Sequence, residues 1–162
     1  MGKMRELGIT FQELTHPPVF TVDEARRAAE NFPPFGHCKN LFLKDNKNRL
    51  WLVTALALTQ IPLKKLAQKL RAPGLRFAGP EALFKHLHVA PGSVTPLGLL
   101  FDTNHVVRVV FDQALFKQET IGFHPLHNAA TWLISPNDLN KFVASCGNPD
   151  VTIDFETELG LP

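Results

Sequence analysis

The sequence predicts an α+β fold, a compact single domain with a mixed, mainly antiparallel sheet and flanking helices. At 162 residues the chain has the size of one ordinary domain. Hydrophobic residues make up 44% and charged residues 20%, close to the globular average, so we expect a core of its own. The predicted elements are hairpins and scattered helices, without the regular alternation of strand and helix that is typical of a doubly wound fold. We therefore expect one domain over residues 1–162.

The first half of the chain contains the clearest pair of strands. Residues 9–14 alternate loosely and predict a short strand, and Thr21–Glu24 fits a capping box that starts a helix. Two apolar runs, residues 39–44 and 50–56, are separated by the turn-forming residues 45–48. This pattern predicts a β-hairpin in the core.

The second half alternates helix signals with short strand-like runs. Apolar residues at helical spacing predict a helix over residues 62–70, and Pro80 opens another over residues 80–87. Residues 91–98 are too rich in Pro and Gly for regular structure. Strands are predicted at residues 99–101, 106–111, 120–123 and 130–134, followed by a helix from Ser135 to about Gly147.

Charge and hydropathy exclude several classes of protein. Seventeen Lys and Arg against fifteen Asp and Glu leave a net charge of +2, too mild for a polybasic protein, and no DNA partner is expected. The apolar runs fall short of the roughly 18–20 residues that span a bilayer, so no membrane partner is expected. The amino terminus lacks the apolar core of a signal peptide, which predicts a cytoplasmic protein.

The motifs of several common enzyme classes do not occur in the sequence. It contains no G-x-S-x-G nucleophile turn, no P-loop and no dinucleotide-binding G-x-G-x-x-G. The two cysteines lie far apart without a CxxC pair, which disfavours a disulfide framework. His86 and His88 are two positions apart and would point to different faces of a helix, and the pair His124/His127 lacks a carboxylate or third ligand nearby in the sequence. We therefore expect neither a metal nor another cofactor.

Four segments carry a resemblance to a known family. They are THPPVFTVDEA (residues 15–25), KNLFLKD (39–45), PGSVTPL (91–97) and GFHPLHNAAT (122–131). In this order they resemble the YbaK-like aminoacyl-tRNA deacylases, the editing domains associated with prolyl-tRNA synthetase, and within them the free-standing ProX or PrdX type. The resemblance spans roughly residues 9–155. It implies a compact α+β fold around a mixed sheet, and hydrolysis of the ester that joins alanine to tRNA(Pro).

The implied chemistry fits a chain without a nucleophile motif. An aminoacyl ester is already activated, so positioning water and stabilising an oxyanion suffice for its hydrolysis. The resemblance assigns catalysis to Lys39, as a cation near the terminal phosphate or the reacting carbonyl. It also assigns His124, which would orient a ribose hydroxyl or relay a proton. Without the resemblance, Lys39 would be a solvated lysine and His124 a structural histidine.

The resemblance also implies a set of substrate-binding residues. Asn40 would bind the ribose or the ammonium group of the amino acid, or is a strand-edge asparagine. The G-x-x-x-P segment would hold a water or a carbonyl oxygen with its backbone, or is a tight connection. Asn128 would brace the His124 turn. The expected substrate-binding residues are Asn40, Gly92, Ser93, Val94, Thr95, Pro96 and Asn128.

A basic cluster supplies candidates for contacts to tRNA phosphates. The sequence has no acidic residue from position 46 to 80, and the cluster consists of Lys64, Lys65, Lys69 and Arg71. Such lysines usually form a solvated helix face.

The expected partner is mischarged tRNA(Pro), and a prolyl-tRNA synthetase partner stays open. Two other functions stay open as well: a non-catalytic tRNA-binding or synthetase-associated module, and a deacylase for cysteine or serine.

Overall fold

A computed structural model describes residues 2–161 and contains an eight-stranded mixed sheet. The strands are β1 (Gln12–Thr15), β2 (Gly36–Lys44), β3 (Leu50–Leu56), β4 (Arg76–Phe77), β5 (Val107–Asp112), β6 (Ile121–Phe123), β7 (Ala130–Ile134) and β8 (Asp150–Ile153). The α-helices are α1 (Gly2–Glu6), α2 (Val22–Ala28), α3 (Leu63–Leu70), α4 (Pro80–Leu87), α5 (Pro136–Cys146) and α6 (Phe155–Glu158). Two 3₁₀ helices span Pro96–Phe101 and Gln113–Lys117.

The sheet combines antiparallel and parallel pairs. Its order is β1-β7-β6-β2-β3-β5-β8, and β4 pairs with β2 outside this path. Within the described chain β1·β7, β6·β7, β2·β3 and β2·β4 are antiparallel, whereas β2·β6, β3·β5 and β5·β8 are parallel. The mixed, mainly antiparallel sheet with flanking helices confirms the predicted fold class.

The predicted hairpin is the β2·β3 pair at the centre of the sheet. Its register runs from Cys38 opposite Leu56 to Lys44 opposite Leu50. The buried carboxylate of Asp45 holds the turn, since it accepts hydrogen bonds from the backbone N–H of Lys47 and from the side chain of Arg49. The turn is therefore closed by a charge-assisted contact in addition to its backbone hydrogen bonds.

Alternating side chains of β2 and β3 contribute to two separate cores. Leu52 lies in one core together with Leu83 of α4 and residues of α5. Its neighbour Val53 lies in the other core, together with Leu66 of α3 and Phe155 of α6. Because successive strand residues point to opposite faces, the two cores cover the two faces of the sheet.

The predicted helices are confirmed, and two predicted N-caps and one predicted C-cap are visible. Thr21 Oγ1 accepts a hydrogen bond from Glu24 N at the start of α2. Ser135 Oγ accepts from Asp138 N, and Gly147 ends α5 in a left-handed conformation with a φ of 79°. None of the helices in residues 2–161 is long and apolar enough to cross a membrane.

The predicted strand at residues 99–101 is wrong, because these residues belong to the 3₁₀ helix Pro96–Phe101. Pro96 stands at the first helical position, and Thr95 Oγ1 accepts a hydrogen bond from Leu97 N at 3.3 Å. A cap and a proline thus outweigh the β-propensity of three apolar residues.

Short elements without a periodic pattern were not predicted from the sequence. They are α1, β4, the 3₁₀ helix Gln113–Lys117, β8 and α6.

Candidate active site

A gap in the strand pairing of β2 defines the candidate site. β6 pairs with β2 only at Gly36 and His37, and β4 joins β2 at Leu43. On this edge, residues 38–41 therefore have no strand partner within the described chain. A cavity of about 210 Å³ lies here, bordered by residues 38–40.

Residues that are distant in sequence meet at this cavity. It is lined by β2, by the last part of the connection between α4 and the 3₁₀ helix (residues 91–95, here called the site loop), by the residue after β6, and by the start of α2 with the residues before it. Five predicted site residues border it: Lys39, Asn40, Gly92, Val94 and His124. A smaller adjoining cavity of about 50 Å³ shares Asn40 and His124.

Lys39 places an uncompensated cation at the cavity. Its side chain is half-buried, and within residues 2–161 it forms no hydrogen bond or ion pair. Burial lowers the pKa of the Lys39 ammonium. Lys39 and Asn40 are successive residues of one strand, and both border the cavity because it lies at the strand edge. The ammonium is available for an anionic group.

The amide of Asn40 is oriented by a cross-strand neighbour. Thr54 lies directly opposite Asn40 and is completely buried. Its Oγ1 donates a hydrogen bond of 2.7 Å to Asn40 Oδ1. Because the amide oxygen is engaged, Asn40 presents its Nδ2 donors. Of the two expected roles of Asn40, this arrangement favours binding an oxygen of the ester or ribose over binding the ammonium group.

His124 is held as a neutral imidazole with one defined tautomer. Its Nδ1 lies 3.2 Å from the carbonyl oxygen of Ala130. A carbonyl can only accept, so Nδ1 carries the hydrogen and Nε2 keeps its lone pair. Burial lowers the pKa of His124, and the nearby His16 and His127 lower it further, against the opposing contribution of the Ala130 hydrogen bond. The ring can therefore accept a proton at neutral pH.

The site loop divides into cavity-lining and anchoring residues. Gly92 and Val94 border the cavity, and Gly92 adopts a φ of 89° that favours glycine. Ser93 and Thr95 are buried, and Thr95 caps the following helix, in which Pro96 is the first residue. Ser93, Thr95 and Pro96 thus anchor the loop, and none of the three lines this cavity.

Asn128 contacts the wall of the cavity through Val19. Its side-chain Nδ2 donates a hydrogen bond to Val19 O at 2.9 Å, and its backbone carbonyl oxygen accepts one from Val19 N at 3.2 Å. Val19 lines the cavity, whereas Asn128 does not. Asn128 therefore positions the stretch before α2, a contact between distant segments that spacing in the sequence does not reveal.

The basic cluster lies on α3 and at its C-cap residue Arg71, and it does not line the cavity. Lys64 and Arg71 are exposed and have no acidic partner among the described residues. Lys69 Nζ lies 2.9 Å from a carboxylate oxygen of Glu158, and Lys65 Nζ donates to Gly160 O at 3.3 Å. Only half of the predicted cluster is thus free of partners in the described chain.

Several cavity residues were not assigned from the sequence. Cys38 lines both cavities, but burial raises the pKa of its thiol, which keeps the sulfur protonated and a poor nucleophile. Val19, Phe20 and Ala25 belong to the first family-like segment but carry no reactive group. Thr54 was missed because its importance comes from its strand partner Asn40.

Comparison with known proteins gives the same family. Residues 16–142 match the model of the aminoacyl-tRNA editing domain. The chain is 38% identical over 159 residues to prolyl-tRNA synthetase associated domain-containing protein 1 of Bos taurus, covering 95% of this chain and 92% of the relative. It is also 38% identical over 157 residues to the prolyl-tRNA editing protein ProX of Acetoanaerobium sticklandii, covering 96% and 94%.

The fold agrees with that of solved structures. The crystal structure of a candidate trans-editing enzyme for prolyl-tRNA synthetase superposes with a TM-score of 0.74 at 20% identity, covering 94% of this chain and 91% of that chain. The resemblance found in the sequence is confirmed by the family model and by the identity to ProX. The chain belongs to the aminoacyl-tRNA editing family, the class of enzyme that its sequence predicts.

Proposed function

We propose that this chain is a trans-acting editing enzyme that hydrolyses the ester of mischarged tRNA(Pro), with alanyl-tRNA(Pro) as its preferred substrate. The observation that carries the proposal is the convergence of Lys39, Asn40, Gly92 and His124 on one cavity of about 210 Å³. The identity to ProX supports the choice of tRNA(Pro). The proposal treats residues 1–162 as one editing domain and places the protein in the cytoplasm, where charged tRNA is found.

The arrangement supports hydrolysis by water without a covalent intermediate. His124 Nε2 would accept a proton from the attacking water, or orient the ribose hydroxyl beside the ester. Asn40 Nδ2 and backbone N–H groups of the site loop would stabilise the negative charge on the carbonyl oxygen. The water oxygen then bonds to the carbonyl carbon, the ester bond breaks, and the ribose oxygen takes up a proton. Lys39 would compensate the terminal phosphate or the same developing charge.

The size of the cavity suits a small amino acid. Val94, Ala25 and Cys38 contribute apolar atoms to its wall, and the volume of about 210 Å³ must also hold part of the ribose. One extra methylene changes binding by only roughly 1–3 kcal/mol, so larger side chains must be rejected by steric exclusion. The small side chain of alanine suits the space inside this wall, and serine and cysteine are the amino acids closest to it in size.

The main alternative is a module that binds tRNA or a synthetase without catalysis. The neutral His124 ring favours an enzyme, because its Nε2 has no hydrogen-bond partner among the described residues and binding alone does not require a proton acceptor. The proposed tRNA contacts are Lys64, Lys65, Lys69 and Arg71, with Lys64 and Arg71 as the stronger candidates since neither has an acidic partner among the described residues.

Deacylation assays test the proposal directly. Purified protein is incubated with alanyl-, cysteinyl-, seryl- and prolyl-tRNA(Pro), and the loss of each ester is followed. We expect alanyl-tRNA(Pro) to be hydrolysed fastest. His124→Ala should lower kcat by roughly 10²-fold or more, the usual contribution of a general acid or base. Lys39→Ala should also lose activity, whereas the control Lys85→Ala, at an exposed position of α4, should not.

Each other outcome has a defined meaning. Binding of every tRNA without hydrolysis would establish the non-catalytic module. Faster loss of the seryl or cysteinyl ester would change the substrate and leave the site in place. Full activity of Lys39→Ala would overturn the role of that lysine. Activity that appears only with added prolyl-tRNA synthetase would show that the partner is required.

A further inference from the structure

We propose that the exposed ring of Phe20 is a stacking platform for the terminal nucleobase of the aminoacylated RNA. This subsite would lie at the rim of the cavity, immediately outside the groups that act on the ester. The inference rests on the proposed function, because it names the residue that holds one part of the same substrate.

The position of Phe20 separates it from other exposed apolar residues. Phe20 is 71% exposed and lines the cavity that contains Lys39 and His124. Phe77 of β4 is 64% exposed and does not line this cavity. Single exposed apolar side chains are common on protein surfaces and need no explanation. An exposed aromatic ring at the mouth of a reactive cavity is a candidate contact for a substrate.

Hydrogen bonds hold the backbone that carries the ring. Phe20 N donates a hydrogen bond of 2.7 Å to Glu24 Oε2, so the capping-box carboxylate fixes the residue before the helix cap. The preceding residue, Val19, is tied to Asn128 by two hydrogen bonds. A preorganised aromatic group loses little conformational freedom when a ligand stacks on it.

The site loop approaches the ring closely. A Cβ atom added at Gly92 would lie 3.3 Å from Phe20 Cδ1, so the ring packs against the bare Cα of Gly92. Gly92 itself has a φ of 89°. The glycine therefore serves the loop conformation and also leaves room for the ring beside the cavity.

The cavity is too small to enclose a whole aminoacyl-adenosine. Pockets that bury a drug-sized ligand have roughly 300–1,000 Å³, whereas this cavity has about 210 Å³. With the acyl group and the ribose inside, the base must stay at the rim, where Phe20 is exposed. Proteins commonly bind unpaired bases by stacking them on aromatic side chains.

Two matched esters and one inert analogue test the inference. The esters are 3′-O-alanyl-adenosine and the alanyl ester of a methyl riboside, which lacks the base. The analogue is 3′-deoxy-3′-alanylamido-adenosine, which is not hydrolysed as an ester. Each is measured with the unsubstituted protein and with Phe20→Ala, Phe20→Leu, Phe20→Trp and the control Phe77→Ala.

The expected result is a defect that depends on the base. Phe20→Ala and Phe20→Leu should raise KM for the adenosine ester, and Kd for the analogue, by roughly 5- to 150-fold, the range measured for losing one stacked base. The riboside ester should be hydrolysed equally by all variants. Phe20→Trp and Phe77→Ala should match the unsubstituted protein.

Three outcomes would overturn the inference. They are equal effects of Phe20→Ala on both esters, no effect on either, and absence of analogue binding by the unsubstituted protein. Failure of the proposed function looks different. In that case the unsubstituted protein hydrolyses neither ester, while Phe20→Ala still weakens binding of the analogue and supports the base subsite.

Discussion

Burial keeps the imidazole of His124 uncharged near neutral pH. Because burial lowers its pKa below the ordinary 6.5, protonation occurs at a lower pH in the folded protein than in the unfolded chain. If His124 Nε2 accepts a proton during hydrolysis, kcat/KM should show an acid limb whose midpoint lies below pH 6.5. A pH profile of kcat/KM measures this acid limb.

The variant His124→Gln provides the control for this pH profile. It should have lower activity and lose the acid limb. The same shift affects stability: below pH 6.5 the unfolded chain takes up the proton first, so the free energy of unfolding falls as the pH drops. An acid limb with a midpoint above pH 6.5 would contradict the neutral-imidazole assignment.

Thr54 is a residue whose effect on the site is indirect. Thr54→Val removes the hydroxyl that donates to Asn40 Oδ1 and leaves that acceptor without its partner. We expect a loss of about 1–3 kcal/mol in the free energy of unfolding, together with a lower kcat, because the Asn40 amide is no longer oriented. Urea unfolding and deacylation kinetics measure the two effects. Thr54→Ser should restore both, and a Thr54→Val protein with normal kcat would refute the positioning role.

At the scale of elements, the site loop depends on close packing between α4 and the following 3₁₀ helix. A Cβ atom at Gly98 would lie 2.8 Å from the backbone oxygen of Leu87 and 2.9 Å from its Cβ. Gly98→Ala should therefore force the two elements apart and cost about 1–3 kcal/mol of stability. Since the loop joins these elements, deacylation should slow as well.

The matched control is Gly2→Ala, where an added Cβ meets no atom within 4 Å. Its free energy of unfolding should change by less than about 0.5 kcal/mol. Thermal or urea unfolding of both variants makes the comparison. Equal free energies of unfolding for Gly98→Ala and Gly2→Ala would contradict the prediction, because they would show that α4 and the 3₁₀ helix accommodate the added Cβ atom without loss of stability.

For the whole molecule, the proposed tRNA contacts of Lys64 and Arg71 predict how tRNA binding should respond to salt. Each phosphate contact adds about 0.7–0.9 to the slope of log K against log salt concentration. Lys64→Ala and Arg71→Ala should each reduce the slope by about this amount. Lys69→Ala should change it less, because the Lys69 ammonium already contacts Glu158. Binding titrations at several salt concentrations measure the slopes, and equal slopes for all variants would place the tRNA elsewhere.

Local patterns in the sequence are sufficient for most of the fold. The hairpin follows from two apolar runs around a polar turn. The bounds of β7 and α4 are the same as those predicted from the sequence. The 3₁₀ helix after the site loop was mistaken for a strand because its apolar residues have β-propensity, whereas its cap and its contact with Leu87 depend on context. β4 and β8 have no pattern of their own and form through pairing with neighbours.

Local sequence patterns are sufficient to predict the fold class, the family and the residue types of the candidate site, because caps, turn residues and motif segments act over a few positions. The folded chain is needed to show which of those residues share a cavity, that Thr54 orients Asn40, that Asn128 holds Val19, and that Lys69 contacts Glu158. Local patterns cannot show these contacts because strand pairing joins residues that are many positions apart. The gap in β2 pairing that opens the cavity exists only once β4 and β6 have taken their places.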